Sequence, residues 1–590
     1  MGSAQEQLRT WWKESSVYQV YPASFQDTTG SGTGDLKGII SRVGYLKDLG
    51  VDIVWLSPIF ASPQKDMGYD ISDYKTIDPI YGDISDVDTL KDRLHERGMK
   101  LVLDLVVNHT SDQHEWFKES RKSKDNPFRD WYTWRPPKYD AQGNRQPPNN
   151  WESHFQGVMN MGYAVDSDVA TIQGSAWEYD EATDEYYLRL FCKEQPDLNW
   201  ENPAVRKAVH EVMRFWLDRG ADGFRMDVIN FISKDQRFLD SDKVVCRGHD
   251  YYACGPRCHE YLQELGAILK EYDAFNVGEM PCVQDEKELI KAVGADRGEL
   301  NMIFYFEQKP SMDLDYGPSG KFSPGTWSLA RLKSVVNKWQ KFMYDNNGWN
   351  ALYLENHDQP RVISRFAYDD PQHREASAKL IAVFHAFQAG TPFIYQGQEI
   401  GMTNVPKEWP IEEYKDIDCV NHWNLYKDTA DEKTKQLVKT EYQKKSRDNA
   451  RTPMQWDSSP QAGFTTSSSP WMRVNDNYKD VNAASQTGNP RSVYHAYRQV
   501  LHKRKEHKDI FVYGSFELVD EPNERVFAYK RKATSGESAL IVCNFSLDTV
   551  AWKTNDEPKQ VLFSTNDRTL GELSSGQISL APCEAIALLL

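Results

Sequence analysis

Residues 101–109 read LVLDLVVNH, a run that is apolar apart from Asp104 and ends in Asn108 and His109. A near-continuous apolar run of this length suits a strand buried on both faces of a parallel sheet. The same shape recurs on either side. Upstream lie 17–21 (VYQVY) and 52–56 (DIVWL), the second after an amphipathic stretch at 40–49. Downstream lie 223–227 (GFRMD), 275–279 (FNVGE), 301–306 (NMIFYF), 351–354 (ALYL) and 391–395 (TPFIY). Strands alternating with helical sequence in this way predict an α/β fold, a (β/α)8 TIM barrel.

Two stretches break the rhythm. Residues 114–200 are rich in Trp, Pro and Asn, as in WRPPKYDAQGNRQPPNNW, and read as a loop-rich domain inserted after the third strand. Residues from about 402 to 450 are charged and helical (DEKTKQLVKTEYQKKSR) and follow the eighth strand. Beyond 510 the apolar period becomes two, in RVFAYK at 525–530, ALIVCNF at 539–545 and again at 578–580. That pattern predicts a C-terminal antiparallel β-sandwich. The expected organisation is a barrel over 1–113 and 201–510, an inserted domain over 114–200 and a β domain over 511–590. The 590-residue length demands such a division, since single cores stop growing near ~250–300 residues.

The composition narrows the function. The formal charge is −17, and an acidic surface repels phosphate backbones, so no nucleic-acid partner is expected. No run of ~18 apolar residues is present to span a membrane. The opening MGSAQEQLRTWWKE lacks a basic region followed by an apolar one, so a cytoplasmic location is expected. Eight cysteines are sparse; Cys254 and Cys258 are four apart, but no second pair completes a zinc pattern. Aromatic residues make up 12% of the chain, which suits a neutral ligand that stacks, such as a sugar.

Barrel sites form at the C-terminal ends of the strands. The third strand carries Asp104 and leads to His109. The fourth ends in Arg225 and Asp227, two apart and so on one face. The fifth ends in Glu279, and the seventh runs into Glu355-Asn356-His357-Asp358. A salt bridge or cap would explain any one tip; four in succession point to a site. Several carboxylates with an arginine and two histidines suit glycoside hydrolysis, in which one carboxylate attacks the anomeric carbon and another protonates the leaving oxygen. Arg225 is expected to hold Asp227 ionised, because an adjacent cation lowers a carboxylate pKa.

At these residues the sequence resembles the α-amylase superfamily of glycoside hydrolases, in its oligo-1,6-glucosidase and α-glucosidase branch, which includes fungal maltases and isomaltases. The resemblance rests on DLVVNHTSDQHEWF, QPDLNW, DGFRMDVINFISK, VGEMP, LENHDQPR, GTPFIYQGQE and ARTPMQW, in that order along nearly the whole chain. It implies that Asp227 is the nucleophile, Glu279 the general acid and base, and Asp358 the third carboxylate that grips sugar hydroxyls. It further implies that His109, His357 and Arg225 surround the reacting glucose. Asp66, Tyr69 and Phe191 would close its pocket, with Arg451 pairing at the same end. Val228, after the nucleophile, would touch the next sugar and favour acceptance of α-1,6 bonds. The implied activity is retaining, exo-acting release of glucose from maltose, isomaltose and possible further short α-glucosides such as sucrose. Transglycosylation would accompany it, in a monomer or weak homo-oligomer without a cofactor.

Three departures qualify the resemblance. Where relatives place a calcium loop, the alternate positions here are Asp27, Thr29, Ser31, Thr33 and Asp35. Two carboxylates are few for a hard cation, so no metal is expected. Residues 158–173 (VMNMGYAVDSDVATIQ) intervene between Gly157 and Gly174, and deleting them leaves a family-like FQGGSAWEYDE. Valine codons begin GT and a glutamine codon can end AG, so a retained intron is one origin and a genuine loop insertion the other. Pro281 follows Glu279-Met280 as in bacterial oligo-1,6-glucosidases, which leaves the balance of linkages open. Two other readings compete: a sucrose or maltose isomerase (isomaltulose or trehalulose synthase), and a non-catalytic transporter heavy chain. The second would need a transmembrane helix and a broken carboxylate set.

Overall fold

The computed structural model describes residues 9–154, 174–243, 247–283, 285–305, 314–317, 321–573 and 576–590. Eight parallel strands follow one another along the chain: β1 (Val17–Val20), β2 (Ile53–Leu56), β3 (Lys100–Val106), β4 (Gly223–Asp227), β5 (Phe275–Met280), β6 (Met302–Tyr305), β7 (Ala351–Leu352) and β8 (Thr391–Tyr395). They pair in chain order from β1 to β6, and β8 joins β7 to β1. A parallel bridge between Ile303 and Asn350 closes the ring between β6 and β7. The barrel expected from the alternating pattern is therefore present. The seventh strand is shorter than the four residues expected, because the chain turns beyond Leu354, where Asn356 bridges back to Gln359.

The pleat sorts each strand's side chains. Val17, Trp55, Val102, Val277 and Phe304 pack inside the barrel. Tyr18, Val54, Leu103, Phe224 and Met226 face outward, into the layer shared with the helices. That layer includes α1 (Leu36–Leu49), α2 (Ile84–His95), α3 (Pro203–Asp218), α4 (Cys258–Glu271), α5 (Glu286–Val293), α6 (Leu329–Asp345), α7 (Arg374–Ala386) and α8 (Val493–Glu506). Helix α3 shows why these segments are helical. Asn202 caps it by accepting from Ala204 N, proline opens it, and Val205, Val209, Val212 and Trp216 recur on its buried face. Gly223 admits no substitute at the start of β4, since a Cβ there would lie 2.0 Å from the Phe275 carbonyl oxygen.

Between β3 and α3 the chain leaves the barrel. It forms the helix Glu115–Ser120 and an antiparallel sheet of Trp134–Arg135, Glu185–Leu188 and Trp177–Asp180. The segment returns through antiparallel bridges His109–Asp197 and Tyr132–Leu198. Residues 158–173 lie outside the described residues. Their flanks meet, however: Ser153 N donates to Gly174 O at 2.7 Å, and Glu152 bridges to Ser175. After β8 come the helices Ile417–Tyr426, Glu432–Lys445 and Asp448–Arg451.

The C-terminal segment holds an antiparallel sheet of Ser515–Val519, Val526–Lys532, Ser538–Asn544, Ala585–Leu589 and Gln560–Ser564. A second ribbon, Val550–Lys553 with Gln577–Leu580, shares its core through Val542, Trp552, Ile578 and Ile586. Arg531 ties this unit to the barrel by donating to the carbonyls of Phe387 and Phe511, both at 2.8 Å. Among the described residues no helix is long and apolar enough to cross a membrane.

Candidate active site

The pleat that turns Val102 and Val277 inward turns Asp104, Arg225, Asp227 and Glu279 inward as well. Strand register then sets Arg225 beside Asp104 on β3 and beside Val277 on β5. One guanidinium thereby serves three carboxylates. Its Nη1 donates to Asp104 Oδ1 at 2.9 Å and to Asp227 Oδ1 at 2.7 Å, and its Nη2 donates to Glu279 Oε2 at 2.6 Å. The backbone N–H of Val228 donates to the same Glu279 oxygen at 3.2 Å. Val228 itself sits at φ 34° and ψ 42°, a left-handed conformation foreign to β-branched residues.

Burial governs the protons here. It pushes Glu279 up to about 7, against Arg225 and with help from Asp227 and Asp358. Asp227 is pushed up to about 6, again by burial against Arg225, with Asp104 adding to the rise. Arg225 was expected to lower Asp227; the loss of hydration outweighs it, because the same cation is divided among three acids. The order still leaves the more firmly held proton on Glu279. Glu279 also acts to lower Asp227, a partial offset to the burial that raises it.

The opposite wall is richer in cations. Arg451 Nη2 and Arg447 Nη1 donate to Asp358 Oδ1 at 2.8 and 3.1 Å. Burial would raise Asp358, but His357, Arg447 and Arg451 outweigh it and hold the carboxyl well below its usual range. Burial pushes His357 down, toward the neutral imidazole. Its Nδ1 faces the Gln19 amide nitrogen at 2.8 Å and must accept, so the hydrogen is assigned to Nε2. Nε2 lies 2.7 Å from the Tyr69 hydroxyl and 3.2 Å from Asp358, and the hydroxyl donates onward to Asp104 at 3.2 Å. A polar chain thus crosses the floor of the site from Asp358 to Asp104.

Asp66 closes one side. Burial pushes it up to about 7 despite Arg447 and Arg451, and the Gln195 amide donates to it at 3.1 Å. Gln195 also stands 3.2 Å from His109 Nε2. Burial brings His109 down to about 4, and its ring lies 5.1 Å from that of Phe191.

The structure therefore gathers Asp66, Tyr69, His109, Phe191, Arg225, Asp227, Val228, Glu279, His357, Asp358 and Arg451 into one network of contacts at the strand ends. Arg451 bonds Asp358 and the His357 carbonyl, and Arg447 reaches toward Asp66 at 3.7 Å. Glu355 belongs elsewhere: it accepts from Arg361 at 3.0 Å and is structural. Residues the sequence reading passed over are Arg447, Gln195, Gln19 and the bridging part of Asp104. Arg447 precedes Arg451 by one helical turn in a segment off the barrel, and that spacing was its only signal.

The loop at 27–35 does not fit a calcium cage. Asp27 accepts from the N–H groups of Thr29, Gly30 and Gly32, and Asp35 from those of Thr28 and Gly38. Donors point at the oxygens a cation would need.

Residues 19–514 match the alpha amylase catalytic domain. The chain belongs to the alpha-amylase family. It is 52% identical over 554 residues to an alpha-glucosidase of Schizosaccharomyces pombe, covering 92% of this chain and 91% of that one. It is 50% identical to an oligo-1,6-glucosidase of Parageobacillus thermoglucosidasius, over 98% of both. The crystal structure of isomaltulose synthase from Erwinia rhapontici NX5 superposes with a TM-score of 0.89 at 38% identity, over 99% of each chain. The chain is a glycoside hydrolase by these relationships.

Proposed function

We propose that this enzyme is a retaining, exo-acting α-glucosidase that removes one glucose from the non-reducing end of short α-1,4- and α-1,6-glucosides. The observation that carries the reading is the sharing of one guanidinium, Arg225, by Asp227 at 2.7 Å and Glu279 at 2.6 Å, which holds both carboxyls beside a single group. Double displacement needs carboxyls ~5–5.5 Å apart, whereas single displacement spaces them ~6.5–9.5 Å apart to admit a water.

In this reading Asp227 attacks the anomeric carbon while Glu279, protonated because it is buried, gives its proton to the leaving oxygen. The covalent glucosyl-enzyme leaves Glu279 ionised, and it then takes a proton from the attacking water. Attack on both faces in turn restores the α configuration. Asp358, held ionised by two arginines, accepts from the glucose hydroxyls. Asp66 with Arg447 and Arg451 blocks the chain beyond that glucose, which favours exo action. His109, His357, Tyr69 and Phe191 fill the remaining wall. An acceptor sugar in place of water gives transglycosylation. A cytoplasmic enzyme without metal, acting on small α-glucosides, is the setting that fits.

The second reading is a sucrose isomerase, favoured by the likeness to isomaltulose synthase. Maltose, isomaltose and sucrose are supplied separately, and the first products are followed by polarimetry and chromatography. Glucose released as the α-anomer from both maltose and isomaltose is expected. Undetectable isomaltose hydrolysis would refute the linkage assignment, β-glucose would refute retention, and isomaltulose or trehalulose from sucrose as the main product would favour the isomerase.

A further inference from the structure

One group of side chains takes no part in the chemistry above: His154, His249 and Cys282. They are far apart in sequence, yet their ligand atoms all lie within 4.8 Å of one another. His154 comes from the inserted segment, His249 opens the short helix His249–Tyr252, and Cys282 lies in the turn two residues beyond β5. The two imidazoles lie face to face, with centroids 5.3 Å apart and planes 15° from parallel. The Tyr252 hydroxyl stands 3.3 Å from His154 Nε2 and orients that ring, as outer partners do for metal-binding histidines. His249 is buried, while His154 and Cys282 are half-buried, so the group can be reached from solvent.

Two imidazoles and a thiol are borderline and soft donors. They suit zinc-class cations and not calcium or magnesium, which seek oxygen. Around a tetrahedral zinc the donor atoms stand about 3.3–3.6 Å apart, so side-chain rotation must draw this group in by about 1 Å. Three protein ligands leave a fourth position for water.

We propose that His154, His249 and Cys282 bind one zinc-class divalent cation, and that its binding slows hydrolysis. The thiol gives its proton to solvent, and the ion is left with a thiolate, two neutral imidazoles and a water. The coupling follows from position. His154 packs on Phe191 at 5.1 Å, Phe191 packs on His109 at 5.1 Å, and Cys282 shares a cluster with Val228. An ion here ties the turn after Glu279 to the helix His249–Tyr252 and to His154, whose ring packs on Phe231 in the turn after Asp227 at 5.4 Å.

The full chain, stripped with chelator, is titrated with Zn2+ and with Co2+ as a spectroscopic probe. One equivalent is expected, with a thiolate-to-cobalt charge-transfer band and a fall in rate as the site fills. Cys282→Ser should abolish the band and weaken zinc binding by at least about tenfold, while its zinc-free rate stays unchanged. His249→Gln and His154→Phe should weaken binding likewise, and either serves if the other fails to fold. The absence of a saturable equivalent, binding that survives these substitutions, or a filled site without loss of rate would each overturn the proposal. Only the rate readout rests on the hydrolytic reading; the cobalt spectrum is independent of it.

Discussion

Asp104→Asn tests the electrostatics of the site most directly. Asp104 and Asp227 accept from the same Arg225 Nη1 at 2.9 and 2.7 Å. Their two oxygens are thus at most ~5.6 Å apart, and at an effective dielectric of ~20 their repulsion is ~3 kcal/mol, or ~2 pKa units. Asp104 is itself pushed up to about 6 by burial, so its charge is incomplete where Asp227 titrates. The expected fall in the Asp227 pKa is therefore about 1–2 units. The assay is kcat/KM against pH with an aryl α-glucoside. The acid limb should move from about 6 toward ~4–5. The alkaline limb should move less, because Glu279 sits on the other nitrogen of the guanidinium. An asparagine must turn its amide hydrogens either toward the Trp55 and Tyr69 donors or toward the Arg225 guanidinium, so about 1–3 kcal/mol of stability and some rate are lost too. That loss lowers the whole curve without shifting its limbs. A folded variant whose acid limb stays in place, or moves upward, would refute the reasoning.

Two further outcomes are expected. Val228→Thr keeps the shape beside Glu279 but puts a hydroxyl at its wall, and kcat/KM for isomaltose relative to maltose should fall by about tenfold or more; an unchanged ratio would deny Val228 a part in linkage choice. Deleting residues 158–173 should leave a folded enzyme with kcat/KM within about threefold of the parent and an equal or higher Tm, since Ser153 and Gly174 already meet and a shorter loop closes at lower entropic cost; a hundredfold loss would show that the stretch is functional. Sequencing the transcript decides its origin.

The barrel was legible because its strands are buried on both faces and so read as apolar runs, of which 101–107 is the longest. β7 was overestimated for the same reason: Tyr353 and Leu354 are as buried as strand residues though they lie past the ladder. Within the site, alternation along one strand was enough to place Arg225 and Asp227 together. What it did not reveal was the balance of forces, since the depth of burial that raises Asp227 depends on neighbours from β3 and β5. Arg447 and Gln195 escaped for a different reason. Each reaches the site from a segment outside the barrel, held there by contacts such as Asp197 with Asn108 and Lys234. The cluster of His154, His249 and Cys282 has no spacing signature at all, because three separate segments supply it.

The uneven supply of arginines has a consequence for inhibitors. On one wall two guanidiniums are shared among Asp358, Asp66 and the buried Asp416; on the other a single guanidinium is left to three acids. In the proposed mechanism the deficit of positive charge is focused where the anomeric carbon would lie. A sugar mimic with a basic nitrogen at that carbon would supply the missing cation, and its affinity would climb as pH rises through 6 to 7 and the acids give up their protons. A mimic with its nitrogen at the far end of the ring, beside Arg447 and Arg451, would meet charge of its own sign.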